Sequence, residues 1–278
     1  MLGNDTILIK IDNKIQLKLA NELPTDKIFG VWNGFNWIPA HINDIEKKNI
    51  KKVMLDNGIE FFITDDELIS VGDTVYSNKW DSGNNIGMAM LGYSIGLFLN
   101  NGEFDGNDTI FYTSDKKSLD ALQELWEMCG SSTTKNDDSL ITHAKTVQTM
   151  IKRYVNFDNN IIRLKDVMFD TSGKFKLGFL EGICVPNDSM KWGRIRKLNE
   201  GFDNDIVAII ASLGLSVQIT NTDIYFKSNE MSQDTDPNYH TFIVKNISDV
   251  ISNEDFYYIK SDYNTNSYML SNGIIRFS

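Results

Sequence analysis

Apolar and polar positions follow three different rhythms along this chain. From the amino terminus to about residue 80 the apolar residues fall in short alternating runs. Examples are Thr6-Ile-Leu-Ile-Lys-Ile, Val31-Trp-Asn-Gly-Phe-Asn-Trp-Ile38 and Glu60-Phe-Phe-Ile-Thr64. Asp12-Asn13 and Asp56-Asn57-Gly58 interrupt them as turn signals, so this region predicts short strands. From about 86 to 230 the spacing lengthens. Leu119, Leu122, Leu125 and Trp126 repeat on one helical face, with Ser118 as a candidate cap and Gly130 as a stop. Ser139 to Tyr154 predicts a second helix. Asp203 to Leu213 predicts a third, ended by Gly214 and followed by two strand-like segments, Leu215–Ile219 and Thr222–Phe226. Residues 231 to 245 are polar and turn-rich, and β character returns in Phe256–Ile259 and Ser267–Leu270 before a turn at Asn272-Gly273. A β-rich domain split by an α+β insertion accounts for this order. Its expected bounds are 1–85 plus 235–278 for the β domain and 86–234 for the insertion.

Composition narrows the picture. Hydrophobic residues make up 41% and charged residues 23% of the 278, enough for a real core. The 27 Lys and Arg face 38 Asp and Glu, a net charge of -11, which argues against a generally basic nucleic-acid-coating protein. The charge divides unevenly: residues 87–230 hold 15 basic and 19 acidic residues, the flanks 12 and 19. Lys47, Lys48, Lys51 and Lys52 read as a solvated surface. Two cysteines, Cys129 and Cys184, are too few for a zinc site or a disulfide framework. His41, His143 and His240 stand isolated in sequence, and no phosphate-binding glycine loop is present. With neither a secretory signal nor a spanning segment, the expectation is a soluble intracellular monomer.

The insertion contains a repeat. Ser94-Ile-Gly-Leu-Phe-Leu-Asn-Asn-Gly102 and Leu180-Glu-Gly-Ile-Cys-Val-Pro-Asn-Asp188 both open as apolar helices, with glycine third and Asn eighth. A candidate strand follows each, Thr109–Tyr112 and Trp192–Arg196, and then a candidate helix. Gly96 and Gly182 would let the two repeat helices approach without an intervening side chain. These segments, with Asn199 to Gly214, resemble the paired motifs of LAGLIDADG homing endonucleases. The resemblance implies two motif helices at a pseudo-twofold interface, two sheets straddling duplex DNA, and an acid at the eighth motif position holding a divalent metal. Those positions are Asn101 and Asn187 here, and an amide offers hard Mg²⁺ a neutral carbonyl in place of an anion. Glu103, Asp105 and Asp188 are the nearby acids that would have to rescue the centre.

The flanks resemble the halves of a Hint domain, the splicing domain of inteins, which LAGLIDADG domains often interrupt. Met1-Leu-Gly-Asn-Asp-Thr6 is similar to an intein start, Asp56 to Glu67 to the block ending Thr-x-x-His, and Ser267 to Ser278 to an intein end. The positions that splicing needs are Met1 for the nucleophile, Glu67 for the block histidine, Phe277 for the penultimate histidine and Ser278 for the terminal Asn. None of these side chains can supply its chemistry.

The expected fold is therefore a β-rich Hint-like domain with an inserted pseudo-twofold LAGLIDADG-like α+β domain. The leading function is binding of double-stranded DNA without splicing or cleavage, through Lys174, Lys176, Lys191, Arg194, Arg196 and Lys197. In Lys191-Trp-Gly-Arg-Ile-Arg-Lys197 an alternating strand sends 194 and 196 to one face. The alternatives are a protein-interaction or structural module and a residual Mg²⁺-dependent endonuclease. No cofactor is expected, Mg²⁺ entering only if cleavage persists.

Overall fold

The computed structural model describes residues 1–34, 36–78, 88–158, 161–185, 192–227, 239–261 and 267–277. Its first strands are β1 (Thr6–Ile11), β2 (Lys14–Leu19), β3 (Phe29–Trp32), β4 (Trp37–Leu55), β5 (Glu60–Thr64) and β6 (Thr74–Asn78). Asp12 and Asn13 join β1 to β2 with φ of 50° and 61°, the left-handed pair that a two-residue hairpin requires.

The chain then becomes helical. α1 (Ala89–Asn101) leads into the hairpin β7 (Gly102–Asp105) and β8 (Asp108–Tyr112), followed by α2 (Lys116–Met128). Asp115, rather than Ser118, caps α2: its carboxylate accepts from the Lys117 and Ser118 amides at 3.2 Å and from the Ser118 hydroxyl at 2.6 Å. Strands β9 (Thr133–Lys135) and β10 (Ser139–Thr142) precede α3 (Lys145–Tyr154). The single helix expected over 139–154 is thus a strand and a shorter helix. Leu140 and Ile141 pair with Phe111 and Ile110 of β8, and sheet pairing overrides the helical spacing. β11 (Val155–Asn156), β12 (Arg163–Leu164), α4 (Asp166–Phe169), α5 (Gly173–Ile183), β13 (Trp192–Arg196) and α6 (Glu200–Ser212) follow.

The last elements are β14 (Val217–Ile219), β15 (Asp223–Lys227), β16 (Tyr239–Ser261), β17 (Ser267–Met269) and β18 (Ile275–Phe277). β16 corrects the turn-rich reading of 231–245 from residue 239 onward. It pairs with β4 from Val244↔Leu55 to Ser261↔Ala40, with three register shifts. Much of this ribbon is solvated, so pairing rather than alternation holds it. Lys47 meets Asp255 at 2.9 Å and Lys52 meets Glu60 at 2.5 Å, which makes the basic cluster a charge-balanced surface.

Chain contacts separate two units: Met1–Asp81 with Ile206–Phe226 and Ser232–Ser278, and Ser82–Asp205 with Lys227–Met231. The first is β-rich, with strand order β2-β1-β3-β4-β16-β6 and β5 added to β4. Ile7, Leu8, Val31, Val53, Ile63 and Val244 fill its core. Residues 206–226 are tied to it by the Ile219 amide on the Asn57 carbonyl (2.7 Å) and by His240 on the Gly214 carbonyl (3.0 Å). The second unit is α+β. Its four-stranded sheet, order β7-β8-β10-β9, is antiparallel, and α2 buries the predicted Leu119, Leu122, Leu125 and Trp126. Each such burial contributes about 1.5–3 kcal/mol. Among the described residues no helix is long and apolar enough to cross a membrane.

Candidate functional site

The α+β unit is organised by the crossing of α1 and α5. Four glycines make it: Gly92 and Gly96 on α1, Gly178 and Gly182 on α5. A Cβ at any of them would strike a main-chain carbonyl of the other helix, Gly92 that of Phe175, Gly96 of Phe179, Gly178 of Ala89 and Gly182 of Tyr93. One offset of 86 residues maps each glycine onto its counterpart and each carbonyl onto its counterpart. The contacts are therefore reciprocal, as a local twofold requires. The sequence picked out Gly96 and Gly182; Gly92 and Gly178, one turn earlier, complete the set and lay in plain view at i, i+4 spacing.

Asn101 is the last residue of α1 and is exposed. Its neighbour Asn100 donates to the Cys184 carbonyl just past α5 at 3.1 Å, joining the ends of the two helices. Burial pushes the Cys184 thiol up to about 12. Asn187 and Asp188 lie outside the described residues. Glu103 and Asp105 alternate on β7 and point with Asp108, Ile110 and Tyr112 to the outer face of the sheet. Glu103 accepts the Tyr112 hydroxyl at 2.5 Å, and that bond holds the phenol above its ordinary value. Among the described residues, no three His, Cys, Asp or Glu side chains are grouped to hold a metal ion. This outer face is acidic where a DNA-facing sheet would need cations.

The second repeat differs. On β13, Ile195 is buried, Arg194 is half-buried and Arg196 is exposed, so the predicted alternation places the two arginines together on the outer side. Lys197 is half-buried just beyond and Lys174 is exposed at the start of α5. Lys191 lies outside the described residues. Lys176 is corrected: it is fully buried and its ammonium donates to the Phe169 carbonyl at 2.8 Å, so it ties α4 to α5 rather than facing a groove. The position lies on the inward face of α5, between the buried Phe175 and Phe179, and helical spacing alone would have shown that.

Two polar constellations escaped the sequence. His143 Nδ1 lies 3.1 Å from Asp108 Oδ2 and its Nε2 lies 2.9 Å from Thr134 Oγ1, linking three strands across the outer sheet face. Arg163 meets Asp205 through two bonds of 2.9 and 3.0 Å, and the Leu164 amide adds a third at 2.8 Å. Burial raises the Asp205 carboxyl above its usual range despite the guanidinium. These partners are 35 and 42 residues apart, beyond the reach of spacing arguments.

The β-rich unit brings together several of the splicing-like positions. Met1 is buried, its carbonyl accepting from the Tyr257 amide at 2.7 Å. Glu67 closes a turn on the Thr64 amide (3.0 Å) and pairs with Arg276 Nη2, 2.6 Å from Oε1. Tyr268 is buried close to Arg276, and burial pushes its phenol up to about 12. Phe277 pairs through its main chain with Ser267; its side chain, like Ser278, is outside the described residues.

No family model and no curated protein matches this chain. Among solved structures it is similar to mesophilic variants of the homing endonuclease I-DmoI, with TM-score 0.36 and 12% identity over 51% of this chain and 89% of that one. It is also similar to an I-DmoI variant in complex with its target DNA, with TM-score 0.37 and 13% identity over 54% and 97%. Full-length DUF199/WhiA from Thermatoga maritima gives TM-score 0.32 and 12% identity over 51% and 52%. No splicing domain is among these three.

Proposed function

We propose that this chain is a LAGLIDADG-type protein that neither splices nor cleaves and that binds duplex DNA through its second repeat. The observation that carries the reading is β13, where a buried Ile195 anchors the strand and Arg196 stands exposed on the opposite side, beside a half-buried Arg194 whose Nε is turned into the protein. Guanidinium groups so placed suit phosphate oxygens and guanine edges. The acidic outer face of β7 and β8 repels a phosphate backbone, so contact is restricted to one half of the saddle that the resemblance implies. Asn101 supplies no charge to a metal, and Glu103 is engaged by Tyr112. The β-rich unit, with Glu67 held by Arg276, offers no splicing base; its kinship to a Hint domain stays part of this proposal.

The test is retention of random duplex DNA at two salt concentrations, with Mg²⁺ in a parallel cleavage assay. Three cations, Arg194, Arg196 and Lys197, predict a slope of log K against log salt of about -2.7. Affinity then falls roughly 40-fold between 50 and 200 mM salt. Cutting would assign the metal role to Glu103, Asp105 or Asp188 and overturn the inactive reading. No retention at low salt would overturn the DNA reading and leave the protein-interaction alternative, which the acidic sheet face favours.

A further inference from the structure

In the β-rich unit, β6 and β18 begin to pair and then separate. Ser77 and Ile274 form an antiparallel bridge. Continued in register, Tyr76 would face Ile275 and Val75 would face Arg276, yet among the described residues pairing stops at the bridge. The far edges of both strands are taken: β6 pairs with β16 from Tyr239↔Asn78 to Ile243↔Thr74, and β18 pairs with β17. Each strand therefore turns one edge toward a cavity of about 500 Å³. Val75, Tyr76, Ile275 and Arg276 line its two sides, and Phe61 and Ile69 extend the apolar wall.

The charges in this wedge are matched internally. Arg276 is buried, and its Nη2 is spent on Glu67. Its Nη1 is also buried and has no hydrogen-bond partner. A buried guanidinium nitrogen left unanswered is costly, and a carbonyl oxygen satisfies it without a new charge. A carboxylate would bring a third anion beside Glu67 and Asp73, which also lines the cavity. Leu68 and Tyr76 stand exposed at the same place and offer apolar contact to whatever enters.

We propose that the wedge between β6 and β18 binds an extended, apolar, uncharged peptide segment of a partner polypeptide. The segment adds as a strand along the free edge of β6 where β18 diverges from it, with one of its carbonyls directed to Arg276. Strand addition suits the site because main-chain bonds supply affinity while the apolar wall selects alternate side chains. This site is independent of DNA binding by β13.

The test is titration of the full chain, labelled with ¹⁵N, with the tripeptide acetyl-Val-Thr-Val-amide. Saturable shifts confined to the amides of residues 67–76 and 274–276 are expected. N-methylation of the central residue should weaken binding roughly tenfold by deleting a main-chain donor. The same peptide with a free carboxylate should bind more weakly than the amide. Arg276→Met should lose affinity, with Tyr76→Ala serving where that variant does not fold. Absence of saturable shifts at millimolar peptide, shifts elsewhere, equal binding of the N-methylated peptide, or preference for the carboxylate would each overturn the proposal.

Discussion

A Cβ on Gly96 would lie 2.7 Å from the amide nitrogen of Ile183, and the mirrored separation, from Gly182 to the amide nitrogen of Leu97, is also 2.7 Å. Both clashes are with backbone, which cannot rotate away. Gly96→Ala and Gly182→Ala should therefore force the helices apart and cost about 3 kcal/mol or more each, the upper end for overpacking. Gly106→Ala, at a turn with φ of 57° and open space around it, should cost only about 1–2 kcal/mol. Denaturant melts of the three variants decide it; equal losses would mean that the crossing tolerates a methyl group.

Asp205 sets a pH dependence whose sign follows from burial. Unfolded, its carboxyl titrates near about 3.9. Folded, it holds its proton to higher pH, because desolvation outweighs Arg163. Between those values the native state binds more protons than the unfolded state. Stability is then lost as pH rises through the folded value, by at most about 1.4 kcal/mol per pH unit. Asp205→Asn should remove this fall from stability curves measured between pH 4 and 7. Parallel curves for the two proteins would show that the ion pair cancels the burial cost.

Removing one phosphate contact leaves a signature that misfolding does not. Arg196→Ala should lower DNA retention and reduce the salt slope by about 0.9. Lys176→Met should leave the slope unchanged, because that ammonium is committed to the Phe169 carbonyl. An altered slope in the second variant would contradict its buried placement.

The two thiols should separate cleanly. Cys129 is exposed, while burial holds the Cys184 thiol up to about 12. The thiolate is the reactive form. At pH 8, Ellman's reagent should therefore titrate one equivalent promptly and the second only in denaturant. Two prompt equivalents would mean that the Cys184 region opens in the native state.

The local features were written in the sequence because local rules decide them. Asp12 and Asn13 tolerate positive φ, Gly214 takes φ of 66° after α6, and the spacing of Leu119, Leu122 and Trp126 selects one helical face. The repeat and its 86-residue offset were legible because a glycine crossing permits no other residue at its contact points. On β13, alternation alone put Arg194 and Arg196 on one side. Other features depended on partners far along the chain. Exposed ribbon positions in β4 and β16 need no hydrophobic alternation, since each strand satisfies the other's backbone, so only Phe256–Ile259 read as β and the rest of the strand that begins at Tyr239 passed for a polar, turn-rich segment. The inward face of Lys176 was legible in the spacing of α5, but the Phe169 carbonyl that takes its ammonium was not. Thr134, His143 and Asp108 meet only because three strands set their register, and Glu67 meets Arg276 across 209 residues. Periodicity reports which way a side chain faces its own element; what lies opposite is decided by packing, and that is why the open wedge beside β6 belongs to the tertiary structure alone.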